Sequence, residues 1–371
     1  MIELRKRTSP GPSTANYGAL YVSSADNKLH YVDENGNDIA VGLSTFDIGN
    51  MGGKFALSDA FDLESGVSGA DTVYYFPYSG NIIHLMDDNS VWHRLTFSTM
   101  SQETWIELTI STVNGANTVT IQDTSRVSVG MAVWVDGVID TIITEITSPT
   151  EFTVADAALS TATETGEIYL YGDSLFDAYL YLDYAGTPRF GFKQWTSDRN
   201  RGFDIIRQEG IECVEVGQNR CIGILFNDDV GSALSTSQFR HILSLYNQAK
   251  LGCSKADATN YTAPGAVATR MYRGSGSNLV ELVSWGGWYD VSVYSNLKPD
   301  GGVATVQIGI GINTTSSMTV YVQNSNAEWI VTGATKSVYL DPGINYIYIL
   351  EYVSAVGSRI AMAGINVEFR G

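Results

Sequence analysis

Short runs in which apolar and polar residues alternate fill most of this 371-residue chain, and Gly, Asn, Asp or Pro cuts nearly every one of them. Between residues 267 and 369 the runs VATRMYR, NLVELVSW, YDVSVYSNL, TVQIGIGIN, SMTVYVQ, YIYILEYVS and IAMAGINVEF follow one another. Turn clusters such as Lys298-Pro299-Asp300-Gly301-Gly302 and Asp341-Pro342-Gly343 separate them. Period two sends successive side chains to opposite faces of a strand, so the pattern specifies many short half-buried strands. Composition agrees: 37 Gly and 21 Tyr stand against 17% charged residues, which suits strands and tight turns and leaves few helix formers. The pattern predicts a mainly β protein of about two or three domains, ending in a jelly-roll-like β-sandwich.

One segment departs from this pattern. In Ser237–Lys250, Phe239, Ile242, Leu243 and Tyr246 recur at helical spacing, and Thr236 or Ser237 can cap the N-terminus. Lys250 suits the negative end of a helix dipole and Gly252 a left-handed C-terminal position, so a single α-helix is predicted here, with His241 at the edge of its apolar stripe.

The charge balance narrows the partners. Lys+Arg total 22 and Asp+Glu 40, a net charge of −18. Nucleic-acid binding needs a basic face, and an anionic membrane surface repels such a chain, so neither partner is expected. No apolar run approaches the ~18 residues of a membrane span, and no apolar segment follows the basic residues near Met1 as in a secretory signal.

Little in the sequence carries chemistry. Cys213, Cys221 and Cys253 form no CxxC, and His30, His84, His93 and His241 are scattered, so neither a zinc site nor a catalytic histidine is expected. Cys213 and Cys221 lie on two strand-like runs joined by a turn; they are either small buried thiols or a disulfide, and disulfide geometry is demanding. The turn at 33–38 is oxygen-rich, but Gly36 and the missing distal Glu depart from a calcium loop. Gly274–Asn278 lacks the closing glycine of a nucleophile elbow, and the GIGIN stretch at 309–313 lacks the Lys-Ser/Thr of a phosphate loop. Asp87-Asp88 and Asp228-Asp229 are adjacent turn carboxylates rather than a pair spaced across a sugar cleft. No enzymatic activity, cofactor or metal is expected. Trp285, Trp288 and Tyr289 flank Gly286-Gly287 and suit either a glycan-stacking shelf or a packed interface.

Texture divides the chain. Residues 1–45 read as a polar Pro-Gly arm followed by a hairpin, and 43–60 as a linker. Residues 46–106 and 169–230 form a Tyr- and Trp-rich β domain, with a meander at Thr72–Phe97. Residues 107–168, dense in Thr, Val and Ile, read as a small β module inserted into it. The charged residues Asp198, Arg199, Arg201, Asp204, Arg207 and Glu209 suit a polar layer or a surface cluster. Residues 231–371 hold the helix and the sandwich.

Three segments carry a resemblance. The first is the Pro-Gly arm with Gly18-Ala19-Leu20-Tyr21-Val22, Lys28-Leu29-His30-Tyr31 and Asp33-Glu34-Asn35-Gly36. The second is Tyr74–Asn81 with Phe176-Asp177-Ala178-Tyr179 and Ala185-Gly186-Thr187-Pro188. The third is Trp195-Thr196-Ser197-Asp198, Arg201, Gln208-Glu209-Gly210-Ile211, Arg220 and Gly223, followed by the expected helix ending in Tyr246-Asn247. In this order they resemble tailed-phage virion proteins of the tail or head fibre type. The 107–168 module, with Val129-Gly130-Met131 and Ser148–Thr153, resembles a small β module of such proteins. The resemblance implies particle attachment through Leu20, Tyr21, Leu29 and Tyr31, projecting β domains, a homotrimer, contacts with capsid, portal or tail proteins, host-surface glycan as a further partner, and a place in the virion after assembly in the bacterial cytoplasm. The alternative it implies is a capsid decoration, cement or head–tail collar protein.

Overall fold

In a computed structural model, the structure describes residues 6–7, 19–23, 29–32, 38–41, 52–58, 67–87, 92–208, 211–214, 219–228, 233–235, 239–240, 242–245, 252–263, 265–299 and 304–369. The chain is mainly β, arranged as several sheets, and the described residues contain only 3-10 turns in the way of helix.

Lys6–Arg7, Ala19–Ser23, Leu29–Val32 and Asp38–Val41 form a four-stranded sheet that pairs with no other described strand. Gly53–Ala56 lies in the stretch expected to be a linker, yet it pairs with Thr72–Pro77. Gly53, Lys54 and Phe55 are all buried, which makes it a core strand. Thr72–Pro77, Ile82–Met86 and Trp92–Thr96 are strands, but they do not form the expected meander. Thr72–Pro77 pairs with Gly53–Ala56 and Met100–Glu103, while the other two form a separate hairpin.

Six strands between Trp105 and Tyr169 close into a small barrel. Trp105–Thr112 zips along Ala162–Tyr169, and Ile106, Ile110, Phe152 and Ile168 fill the interior at period two. Closure removes the open edges that a free sheet would present.

The central sheet runs Pro188–Gln194, Ser174–Leu182, Asn219–Asn227, Ile211–Val214 and Ile205–Gln208, with Ile242–Ser244 also on Asn219–Asn227. Leu175 to Leu180 are all buried because both faces are covered. Phe176, Ala178 and Leu180 join the core shared with the barrel, while Leu175, Ile224 and Phe226 pack with Val283 and Ile344 of the C-terminal sandwich. Within this sheet Cys213 lies opposite Arg220, which puts Cys221 on the other face of the ladder. Cys221 is buried and forms no disulfide, and its thiol donates weakly to the Gly223 carbonyl at 3.8 Å.

The predicted helix is replaced by strands. Phe239–Arg240 pairs in parallel with Leu279–Ser284, and Ile242–Ser244 pairs with Asn219–Asn227; the remainder of 236–250, with His241, lies outside the described residues. Isolated helices of this length are marginal, and the ladder offers these backbone groups partners that also bury Leu243. Ser244 Oγ accepts from the Phe55 N–H at 3.1 Å, and Gly252 opens the strand Gly252–Asp257.

The sandwich has an eight-stranded sheet, reaching from Val320–Asn324 to Val67–Ala70, and a five-stranded sheet of Gly252–Asp257, Arg359–Phe369, Gly287–Lys298, Ile330–Leu340 and Tyr261–Thr262. Val291, Val293, Ile308, Ile347 and Ile365 share the core between them. The GIGIN stretch lies within the strand Val306–Ile312.

Candidate functional site

The attachment residues lie in the N-terminal sheet. Leu20 is opposite Tyr31 and Val22 opposite Leu29; Tyr31 is opposite Ile39 and Leu29 opposite Val41. Register therefore gathers Leu20, Val22, Leu29, Tyr31, Ile39 and Val41 on one face, and Tyr21 falls on the other with His30. Of the oxygen-rich turn at 33–38, residues 33–37 lie outside the described residues, and Asp38 opens the strand Asp38–Val41.

Trp285, Trp288 and Tyr289 do not make one shelf, because strand alternation separates them. Tyr289 points into the sandwich core, 2% exposed, and its hydroxyl donates to Ser284 Oγ at 3.2 Å. Burial pushes its phenol above the ordinary value. Trp285 is half-buried and lies over the Arg201 guanidinium at 4.2 Å; Trp195 covers it at 4.3 Å. Of the charged cluster at 198–209, Arg201 thus enters a polar layer with Asp177.

Trp288 alone of the three faces solvent, 54% exposed. Its register partner Tyr339 is 55% exposed and meets it edge to face at 5.8 Å. Further along the same strand and face lies Tyr294, whose ring crosses Gly364 so closely that a Cβ there would fall 2.3 Å away. Between the aromatics lies a polar row: Ser292 Oγ with Thr335 Oγ1 at 2.8 Å, and Ser337 donating to Asp290 at 2.5 Å. Aromatic faces that stack and flanking hydroxyls that exchange hydrogen bonds give this outer sheet face the chemistry to hold a sugar chain. Tyr339 was invisible from the sequence because its pairing with Trp288 spans a long connection. Tyr294 was signalled by the W-x-D-x-S-x-Y alternation from Trp288.

The remaining candidates are structural or lie apart. His93 contacts Asp87 at 2.8 Å on the surface, and His84 is buried in the strand Ile82–Met86. Ser275 and Ser277 hydroxyls bond each other at 2.7 Å in a turn.

No protein-family model matches the chain, and no curated protein matches it. Among solved structures it is similar to the infectious bursal disease virus Gx strain structure, at 9% identity and TM-score 0.20 over 72% of each chain. It is similar to the exo-beta-1,3-galactanase of Phanerochaete chrysosporium at 11% identity and TM-score 0.17, over 96% of this chain and 67% of that one. The mosquito-larvicidal Cry4Aa toxin of Bacillus thuringiensis matches at 9% identity and TM-score 0.20, over 84% and 51%. Scores of this size define no shared fold.

Proposed function

We propose that this chain is a structural protein of a tailed-phage virion. More particularly, it is a fibre or spike: the N-terminal sheet docks on the particle, the β modules project, and the face bearing Trp288, Tyr294 and Tyr339 meets glycan on the host surface. The observation that carries the reading is the N-terminal sheet, which collects six apolar residues on one face in strands that pair with nothing beyond Val41 among the described residues. A small sheet with one apolar face gains its stability by covering that face. Stacked β modules supply stiffness, and the charge of −18 keeps neighbouring copies apart. A homotrimer is the expected assembly, since association protects sheet edges.

Co-sedimentation with particles lacking the protein tests the reading. The full chain is expected to bind and a chain lacking residues 1–42 to stay in solution with unchanged circular dichroism. Equal binding by both chains, with particles that become fragile when the protein is absent, overturns it in favour of a decoration or collar protein.

A further inference from the structure

The outer face of the barrel carries an aromatic patch among unpaired carboxylates. Trp105 and Trp134 each expose 38% of their surface. Trp105 stands opposite Tyr169 on the neighbouring strand, and Tyr169 meets Tyr171 edge to face at 5.5 Å. Strand alternation keeps all four rings outside, because Ile106, Val133, Ile168 and Leu170 take the inward positions. The same register places Glu107 and Trp134 on either side of Glu167, with Asp140 opposite Trp134 on its far side.

Two features set this face apart from an ordinary solvated surface. First, Glu107 and Glu167 are directly opposite each other in a ladder of eight residue pairs, and like charges in that position destabilise a sheet. The side chains of Glu107, Glu167 and Asp140 make no hydrogen bond or ion pair among the described residues. The barrel supplies nothing to neutralise them: residues 105–169 hold nine Asp and Glu against one Arg, and that Arg126 is held by Glu103 at 2.7 Å. Second, the carboxylates lie beside the rings. Burial, Tyr171, Asp140 and Glu167, in that order, push the Tyr169 phenol above its ordinary value, and burial with Asp140 does the same to Tyr171. An arrangement that costs stability without a return inside the fold marks a place kept for something outside it.

The chemistry of the patch selects its occupant. A cation over an indole or phenol face is attracted by the ring, and flanking carboxylates add charge complementarity. A guanidinium suits both, since it lies flat on a ring while its fork donates two hydrogen bonds to a carboxylate. Size argues against a single small cation. Trp105 and Trp134 stand two strands and two residues apart, about 12 Å between α-carbons, which about four residues of extended chain span. An anionic or neutral partner would leave the three carboxylates unanswered. We propose that this face of the barrel docks an extended, arginine-bearing segment of a partner protein, its side chains stacked on Trp105 and Trp134 and paired with Glu107, Glu167 and Asp140. The surface is separate from the outer face of the sandwich and does not depend on the virion reading.

Fluorescence anisotropy with labelled hexa-arginine, on the full chain at physiological salt, tests this. Saturable binding is expected, with hexalysine weaker by about threefold or more and hexaglutamate not bound. Trp134→Ala, which leaves the charge unchanged, is expected to weaken hexa-arginine binding about fivefold or more. Glu167→Gln is expected to weaken it about fivefold without lowering the melting temperature, because it relieves the like-charge pair. Glu151→Gln removes the same charge from the strand Glu151–Val154, across the barrel, and is expected to bind as the parent does. Absence of saturable binding overturns the proposal. So does equal weakening by Glu151→Gln and Glu167→Gln, which means diffuse attraction to an acidic module, and so does full affinity in Trp134→Ala. Self-association of the chain that Trp134→Ala abolishes, or saturable binding of cellohexaose that the same variant abolishes, makes the occupant a second copy or a glycan and overturns it too.

Discussion

Arg201 Nε lies 2.7 Å from the carboxylate of Asp177, a side chain with no exposed surface. The same guanidinium is sandwiched between Trp195 of the central region and Trp285 of the sandwich, so one cation ties two modules together. Nearby, Ile344 N–H donates to the Asp198 carbonyl at 3.0 Å and continues the joint.

Arg201→Ala leaves the buried Asp177 carboxylate without its guanidinium. A loss of about 3–5 kcal/mol is expected in chemical denaturation. Arg201→Lys recovers part of that loss only, because an ammonium cannot lie flat between two indoles.

Gly130→Ala is expected to open the seam between the barrel and the central sheet. A Cβ there would fall 1.8 Å from the Phe192 carbonyl oxygen, and φ of +90° strains any L-residue. Destabilisation of about 2 kcal/mol or more is expected, read by denaturant midpoint.

Much of this fold was legible in the sequence because strand and turn signals are local. The 107–168 module could be divided at Asn114-Gly115, Gly130 and Asp136-Gly137, and glycines with positive φ stand at each of these breaks. Pairing was not legible, since it depends on residues far apart in the chain. Phe239, Ile242 and Leu243 share helical spacing, yet the vacant ladder of Asn219–Asn227 claims Ile242–Ser244 as a strand. Likewise Trp288 was visible as a surface aromatic, while its partner Tyr339 emerged only from the register of two distant strands.

Glu351 makes stability depend on pH. Burial pushes its carboxyl above the ordinary value of 4.5, and the hydrogen bond from Arg270 and the charges of Arg270 and Arg273 oppose the rise only in part. Folding therefore favours the protonated form. That contribution is complete below the unfolded value and is lost as pH rises from about 4.5 through the raised folded value. Glu351→Gln keeps an acceptor for Arg270 and removes the charge. Its melting temperature relative to the parent is expected to climb between pH 4.5 and 7; a difference constant with pH contradicts the account.

Trp288→Ala is expected to change unfolding by less than about 0.5 kcal/mol, since the ring is 54% exposed. Adsorption to host cells is expected to drop several-fold, and to drop further with Tyr339→Ala added. Unchanged adsorption in the double variant removes this face from the proposed function.

The mass and shape of the purified full chain test the proposed projecting fibre most directly. Light scattering with negative-stain imaging is expected to show an elongated trimer with its modules in series. A compact monomer contradicts the claim.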